Sequence, residues 1–140
     1  MQLTRRELAG VATCAICAAA GLTTTASAQS TGGATQGLTR KVLSQMDGPA
    51  AGYVTVVAQV EIEPGVVVAR HTHPGIESSY VVSGGLDLPI EGKGTLSLKP
   101  GDGFQVPAGT PHAGGPNGPQ KTTLVSTYVV EKGKPLASPA

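Results

Sequence analysis

The chain has 140 residues, enough for one domain, and its 10 lysines and arginines nearly balance its 9 aspartates and glutamates. It has no basic block, so it offers no electrostatic surface for nucleic acid or for an anionic membrane, and a small molecule is the expected partner. Glycine and proline make up more than a fifth of the residues, and there is no tryptophan. This composition is typical of short strands joined by tight turns.

Residues 1–28 have the three parts of an export signal. Arg5 and Arg6 give a basic start, residues 8–22 an apolar middle, and residues 26–28 a small-residue cleavage site. The arginine pair resembles the twin-arginine signal, which exports proteins that have already folded. An ordinary secretory signal that carries two arginines is the alternative, and the apolar run is too short for a stable membrane anchor. The sequence therefore predicts an exported, periplasmic protein cleaved after residue 28.

Both cysteines, Cys14 and Cys17, lie inside this leader. Their C-x-x-C spacing would indicate redox or metal chemistry in a folded domain, but cleavage is expected to discard them. A lipidated cysteine is a further alternative, although Thr13 and Ile16 stand where glycine or alanine normally precedes the modified residue. The mature chain would then have no disulfide and no cysteine nucleophile.

A domain is predicted over residues 38–131, after a small, polar stretch at 29–37 that is expected to form a flexible arm. Alternation is clearest over residues 53–63, where every second residue is apolar and those between are mostly polar. That pattern indicates a half-buried antiparallel strand. The other predicted strands cover residues 39–45, 66–73, 77–82, 86–90, 96–98, 104–106 and 121–131.

Prolines set expectations for three other segments. Pro89 has no backbone N–H, so the strand at 86–90 is predicted to lie at a sheet edge or to carry a bulge. Residues 107–119 are predicted to be a loop, and residues 132–140 an extended tail whose prolines oppose regular structure. No window from residue 39 onward has a sustained helical period. The domain is therefore predicted to be all-β, a sandwich or a small barrel.

All three histidines of the chain lie in two glycine-rich segments. His71 and His73 are two residues apart, so in a strand both imidazoles project to the same face. Glu77 can supply a carboxylate oxygen from the next strand, and His112 a third imidazole. Such a shell leaves open positions on a six-coordinate ion, which favours Mn or Fe and suits Zn, Ni or Cu less selectively. The alternative is that each histidine is an ordinary surface or hydrogen-bonded residue.

These residues lie in two spaced motifs that resemble those of the cupin family. In the first motif Gly65, His71, His73, Glu77 and Gly84 are separated by five, one, three and six residues. In the second motif Gly101, Pro107, Gly109 and His112 are separated by five, one and two residues. Asn117 lies one place later than the family pattern has it, and Pro116 stands in that place. The resemblance covers roughly residues 54–130.

The resemblance implies a double-stranded β-helix, the cupin jelly-roll barrel, with one divalent metal ion held inside by His71, His73, Glu77 and His112. A structural cupin with an empty site is the alternative. The motif glycines are expected in turn conformations that are closed to other residues. Small cupins also pair their sheets, and the strands at 53–63 and 121–131 carry apolar residues on more than one face, so a homodimer is expected.

The cupin family includes dioxygenases, decarboxylases, isomerases, storage proteins and sensors, so the fold leaves the activity open. One hypothesis is a mononuclear metal-dependent oxygenase or related oxidoreductase that acts on a small organic molecule. No histidine is then left for acid–base work, and Arg70 points away, so a carboxylate substrate has no evident clamp. The rival is a non-catalytic, metal-stabilised module for a small ligand, because few polar residues beyond Gln59, Ser79 and Gln105 accompany the aliphatic lining.

Overall fold

The computed structural model describes residues 35–140, and the predicted export signal and most of the predicted arm lie outside the described residues. Every regular element in this range is a β-strand, so none of its segments is a helix that could cross a membrane. The strands are β1 (Leu38–Asp47), β2 (Tyr53–Ile62), β3 (Val68–Thr72), β4 (Gly75–Ser83), β5 (Leu86–Ile90), β6 (Gly94–Leu98), β7 (Gly103–Val106), β8 (His112–Gly114), β9 (Thr122–Glu131) and β10 (Ser138–Pro139).

The strands form two five-stranded antiparallel sheets that face each other. Sheet A has the order β1-β2-β9-β4-β7, and sheet B has the order β10-β3-β8-β5-β6. The chain passes from sheet A to sheet B four times, between β2 and β3, between β4 and β5, between β7 and β8, and between β9 and β10. This architecture is a double-stranded β-helix jelly roll, which confirms the fold predicted from the sequence.

Strand β2 shows how alternation of residue type builds the barrel. Its inward residues from Val54 to Ile62 are at most 4% exposed, whereas the residues between them are only partly covered. β9 repeats this pattern and pairs with β2 along the whole length of both strands. Burying each valine or leucine contributes about 1.5–3 kcal/mol, so these two strands anchor the core from the centre of sheet A.

The prediction for Pro89 is wrong, because β5 lies between β8 and β6 and its register with β6 is regular. The Asp87 carbonyl accepts a hydrogen bond of 2.7 Å from Gly115, on the β8 side. Pro89 is two residues further on, so its nitrogen faces the same side. There β5 pairs with β8 only through Ile90 and His112. The missing N–H of Pro89 therefore lies where few hydrogen bonds join β5 to β8.

Two segments that were expected to lack regular structure contain short strands. β8 lies within residues 107–119 and pairs with β3. β10 lies within the C-terminal tail and also pairs with β3, while Leu136 and Ala137 just before it are each 3% exposed. In both places pairing with β3 outweighs the local effect of the prolines. The C-terminal residues are therefore part of the barrel.

The motif glycines adopt the turn conformations predicted for them. Gly65 and Gly84 have a φ of 74° and Gly101 has a φ of 96°. A side chain at Gly84 is also excluded for a second reason, because its Cβ atom would lie 2.6 Å from the Lys121 carbonyl oxygen. The turn between β4 and β5 is thereby held close against the start of β9.

Candidate metal centre

Three imidazole rings meet inside the barrel, between the two sheets. His71 lies in β3, His73 follows the end of β3, and His112 begins β8. Their ring centroids are 4.2, 4.9 and 5.0 Å apart, and one nitrogen of each ring lies within 4.8 Å of the others. β3 ends one residue earlier than predicted, but the spacing of two still directs His71 and His73 to the same interior. The structure thus brings together the three histidines that the sequence singled out.

Each of the three rings has its Nδ1 atom on a backbone carbonyl. Nδ1 of His71 is 2.7 Å from Ala69 O, that of His73 is 2.6 Å from Leu136 O, and that of His112 is 2.9 Å from Thr110 O. A carbonyl only accepts hydrogen bonds, so in the neutral rings Nδ1 carries the proton and Nε2 keeps its lone pair. The Nε2 atoms of His73 and His112 are buried and make no hydrogen bond. Converging lone pairs of this kind are suited to a metal ion.

Glu77 lies in β4, next to two of the rings. Its Oε2 atom is 3.0 Å from His73 Nε2 and 3.4 Å from His112 Nε2. Its Oε1 atom lies 2.8 Å from the Ser79 hydroxyl and 3.3 Å from the Ser126 hydroxyl. The two serines hold one oxygen, so the other is directed at the imidazoles. The cluster whose possible ligand atoms all lie within 4.8 Å of one another consists of the three histidines, and Glu77 lies beside it.

The charges in the site also fit a cation. Burial opposes ionisation of Glu77, but its contacts with His112 and His73 outweigh burial and hold the pKa of the carboxyl well below its usual range. Burial, with the neighbouring charges of His112, His73 and Arg40, lowers the pKa of His71 to about 4. At neutral pH the site therefore holds a carboxylate at Glu77 and a neutral imidazole at His71. An anionic oxygen 3 Å from an imidazole nitrogen is stable when that nitrogen carries a proton or when both atoms bind the same cation.

Sequence reasoning missed three residues of the site: Ser126, which contacts Glu77, and also Arg40 and Tyr128. Arg40 is opposite the buried Val60 in the register of β1 and β2, so it faces inward, and its Nε atom is buried without a hydrogen-bond partner. The ring of Tyr128 in β9 is 1% exposed, and its centroid is 5.0 Å from that of His73. Burial and the Glu77 charge raise the pKa of Tyr128, so its hydroxyl stays neutral. The sequence did contain a signal for them, because a charged or polar residue at an inward position of an alternating strand indicates a role in the interior.

The cavity next to the histidines has a volume of about 40 Å³. Arg40, Tyr128, His71 and Glu77 supply its polar atoms, and most of the rest of the lining is aliphatic, from strands such as β2, β5 and β9. A volume of this size holds only a few water molecules. The site therefore accepts a compact ligand, or one end of a longer ligand.

Other polar residues considered from the sequence lie away from the cavity. Gln59 donates to Glu61, and Gln105 donates to Ser78. Arg70 points outward as predicted, where it forms an ion pair with Glu91 and both side chains are at least half exposed.

The displaced Asn117 is not among the residues that line the cavity. Its side-chain amide donates to the carbonyls of Ile62 and Glu63, at 3.1 and 2.8 Å. It therefore ties the segment after β8 to the end of β2.

Similar folds occur among solved structures. A protein with a double-stranded β-helix domain from Klebsiella pneumoniae is 23% identical, with a TM-score of 0.58 over 71% of this chain and 83% of that one. The DMSP lyase DddQ from Ruegeria pomeroyi is 20% identical, with a TM-score of 0.62 over 74% of this chain. This chain spans 51% of the lyase. The polyketide cyclase RemF from Streptomyces resistomycificus is 26% identical, with a TM-score of 0.55 over 69% of this chain and 67% of that one.

No curated protein sequence is significantly similar to this chain. Residues 58–128, just over half of the chain, match the model of the cupin domain family. The match runs from the middle of β2 to Tyr128 in β9 and includes all three histidines and Glu77. With its jelly-roll fold and its cluster of histidines, the chain belongs to the cupin family.

Proposed function

We propose that the chain is an exported metal-binding cupin that acts as a mononuclear metal-dependent oxygenase, or a related oxidoreductase, on a small organic molecule. The observation that carries this proposal is the convergence of one ring nitrogen from each of the three histidines beside the charged Glu77. His71, His73, Glu77 and His112 would hold one divalent ion. The mixed nitrogen and oxygen shell favours Mn or Fe, with Zn, Ni or Cu as alternatives. Such an ion supplies open coordination positions for substrate or dioxygen.

The protein groups around these ligands position and shield them. Ser79 and Ser126 fix Glu77, and their hydroxyl oxygens are also 2.6 Å apart. Tyr128 is a neutral hydrogen-bond donor next to the ligands. The aliphatic lining excludes bulk water, which strengthens electrostatic interactions inside the site. After ligand assignment the described residues 35–140 hold no further histidine to transfer protons, so the chemistry is expected to depend on the metal.

Metal analysis combined with turnover assays tests this proposal. Protein purified from its native compartment is assayed against phenolic and keto-acid substrates while dioxygen consumption is followed. Turnover should track metal occupancy and should be lost in His112→Ala but kept in the surface variant Gln105→Ala. Product formed at an unchanged rate without dioxygen would contradict oxygenase chemistry and favour a non-redox reaction, as in the lyase and cyclase of similar fold. Turnover by metal-free protein would refute the whole proposal.

A second candidate is a non-catalytic module in which the metal helps to hold a small ligand or stabilises the barrel. The observation that favours it is the small cavity of about 40 Å³, whose lining contains few polar side chains. In the same experiments such a protein would retain metal and bind a ligand, but would release it unchanged.

We also propose that the twin-arginine-like leader exports the protein to the periplasm after the metal is bound. Nitrogen and oxygen shells bind Cu and Zn more tightly than Mn and Fe, so folding before export would protect the choice of metal. Changing Arg5 and Arg6 to lysine should leave metal-loaded protein in the cytoplasm. A leader for unfolded export should give periplasmic protein enriched in Zn or Cu. Undiminished export of the lysine variant would contradict this route.

We further propose a homodimer formed through β1, the edge strand of sheet A. Val42 and Met46 in this strand are 55% and 69% exposed. β1 carries a bulge between Val42 and Ser44, so Val42 and Met46 project from opposite faces of the strand. Antiparallel pairing of two β1 strands would cover part of both apolar side chains and would satisfy the hydrogen-bonding groups of the exposed edge.

A further inference from the structure

The cavity next to the metal centre contains a positive charge that the proposed oxygenase chemistry does not use. Arg40 lines this cavity together with His71, Glu77 and Tyr128. Its Nε atom is buried and has no hydrogen-bond partner, while the rest of the guanidinium contacts the uncharged hydroxyl of Tyr128. The ion pairs formed within residues 35–140 include Arg70 but not Arg40. A partly buried guanidinium without an anion is unfavourable, so an anionic partner would stabilise it.

The position of Arg40 follows from the strand register. Arg40 is opposite Val60, and Val60 is opposite Leu124 on β9, so the three side chains lie on the inner face of sheet A. β1 is the edge strand of that sheet, which puts Arg40 at the open side of the barrel. His71, the least buried of the three histidines, is near enough to feel its charge. The guanidinium therefore lies at the entrance of the site, on the His71 side.

We propose that Arg40 binds the anionic end of the ligand and that the site takes a small carboxylate, held between the open metal positions and the guanidinium. This inference rests on the proposed metal centre. The planar guanidinium presents paired donors that match the two oxygens of a carboxylate. The Glu77 carboxylate offsets only part of the positive charge of a divalent ion and the Arg40 guanidinium. The carboxylate of a ligand would reduce the remaining excess.

Two other features of the cavity limit the ligand. The hydroxyl of Tyr128, which lines the cavity, can donate a hydrogen bond to an anion, whereas a second carboxylate of the protein at that place would repel one. The volume of about 40 Å³ leaves room for only a few non-hydrogen atoms. Inward aliphatic residues such as Val60 and Leu124 would contact the apolar end of a short organic acid. Arg40 is thus the carboxylate clamp that Arg70, which points outward, does not provide.

Ligand titrations of the metal-loaded protein test the role of Arg40. The full chain is loaded with Co²⁺, and its absorption spectrum is followed during titration with acetate or with acetamide, a neutral molecule of the same size. The wild type should bind acetate in preference to acetamide. Arg40→Gln should lose about tenfold or more in acetate affinity and keep its affinity for acetamide. Arg70→Gln removes the same charge from the outer surface and should leave both affinities unchanged.

The cobalt content of each variant separates the two ways in which the test can fail. Equal acetate affinity in Arg40→Gln and the wild type, at equal cobalt occupancy, would overturn the carboxylate clamp and leave the metal centre intact. A wild type that binds no cobalt would overturn the metal centre itself. Arg40→Lys keeps the charge but not the paired donors, so an acetate affinity between those of the wild type and Arg40→Gln is expected. This variant also decides the question if Arg40→Gln folds poorly.

Discussion

Removing residues 135–140 should weaken metal binding as well as the fold. The Leu136 carbonyl accepts the hydrogen bond from His73 Nδ1, at 2.6 Å, although the two residues are 63 positions apart in the sequence. The Leu136 side chain packs in a buried cluster with Val54, Val56 and Tyr128. The deletion therefore removes an anchor in the core and an orienting partner of a proposed ligand.

The two effects have different sizes. Truncating a buried leucine costs about 2–5 kcal/mol, and the two residue pairs between β10 and β3 add little because β10 lies at the edge of its sheet. Loss of an outer partner of a metal-binding histidine costs about 10- to 100-fold in metal affinity. That factor corresponds to about 1.4–2.8 kcal/mol of binding free energy. Leu136→Ala loses the side chain but keeps the carbonyl, so it should lower stability with a smaller loss of affinity.

Chelator competition measures the metal affinity of the three proteins, and thermal unfolding of the metal-free forms measures their stability. The chelator titrations are made at a temperature where circular dichroism shows each variant to be folded. The expected result is that the deletion and Leu136→Ala are similarly destabilised but differ in metal affinity. A folded deletion variant that binds metal as tightly as the full chain would refute the role assigned to the Leu136 carbonyl.

Three further outcomes are expected. Replacing His73 or Glu77 by alanine should abolish tight metal binding and lower the melting temperature, and full occupancy by elemental analysis would contradict the ligand assignment. Metal-free protein should lose stability as the pH falls from 6.5 to about 4, because only the unfolded chain protonates His71 in that range. Thermal melts of His71→Asn should show a flatter pH dependence there. Changing both Val42 and Met46 to lysine should give a monomer by light scattering, and a wild type that is already monomeric at micromolar concentration would rule out the dimer.

The alternation of β2 and the spacing of the histidines made much of the fold and the histidine cluster predictable. Both features are local, because side-chain direction follows from position along one strand. β8 and β10 could not be predicted in this way. Each is only two or three residues long and lies among prolines, and each forms because β3 is already there to pair with it.

The missed residues of the site depend on contacts between distant parts of the chain. Arg40, Tyr128 and Ser126 come from β1 and β9, and they reach the histidines only once sheet A is assembled. A single arginine or tyrosine in an alternating strand has many ordinary explanations. Glu77 was identifiable because it is four residues from His73, whereas Ser126, which also contacts it, lies outside both motifs.

The choice of hydrogen-bond partners for the imidazoles has a consequence for mutational scanning. All three Nδ1 atoms donate to main-chain oxygens, those of Ala69, Thr110 and Leu136. Every amino acid supplies a main-chain oxygen, so exchanging the side chain at these positions leaves the acceptor in place. A scan of single substitutions would find the histidines and Glu77 but would overlook the groups that orient the rings. Only changes to the path of the backbone, such as insertions, deletions or a proline, would reveal them.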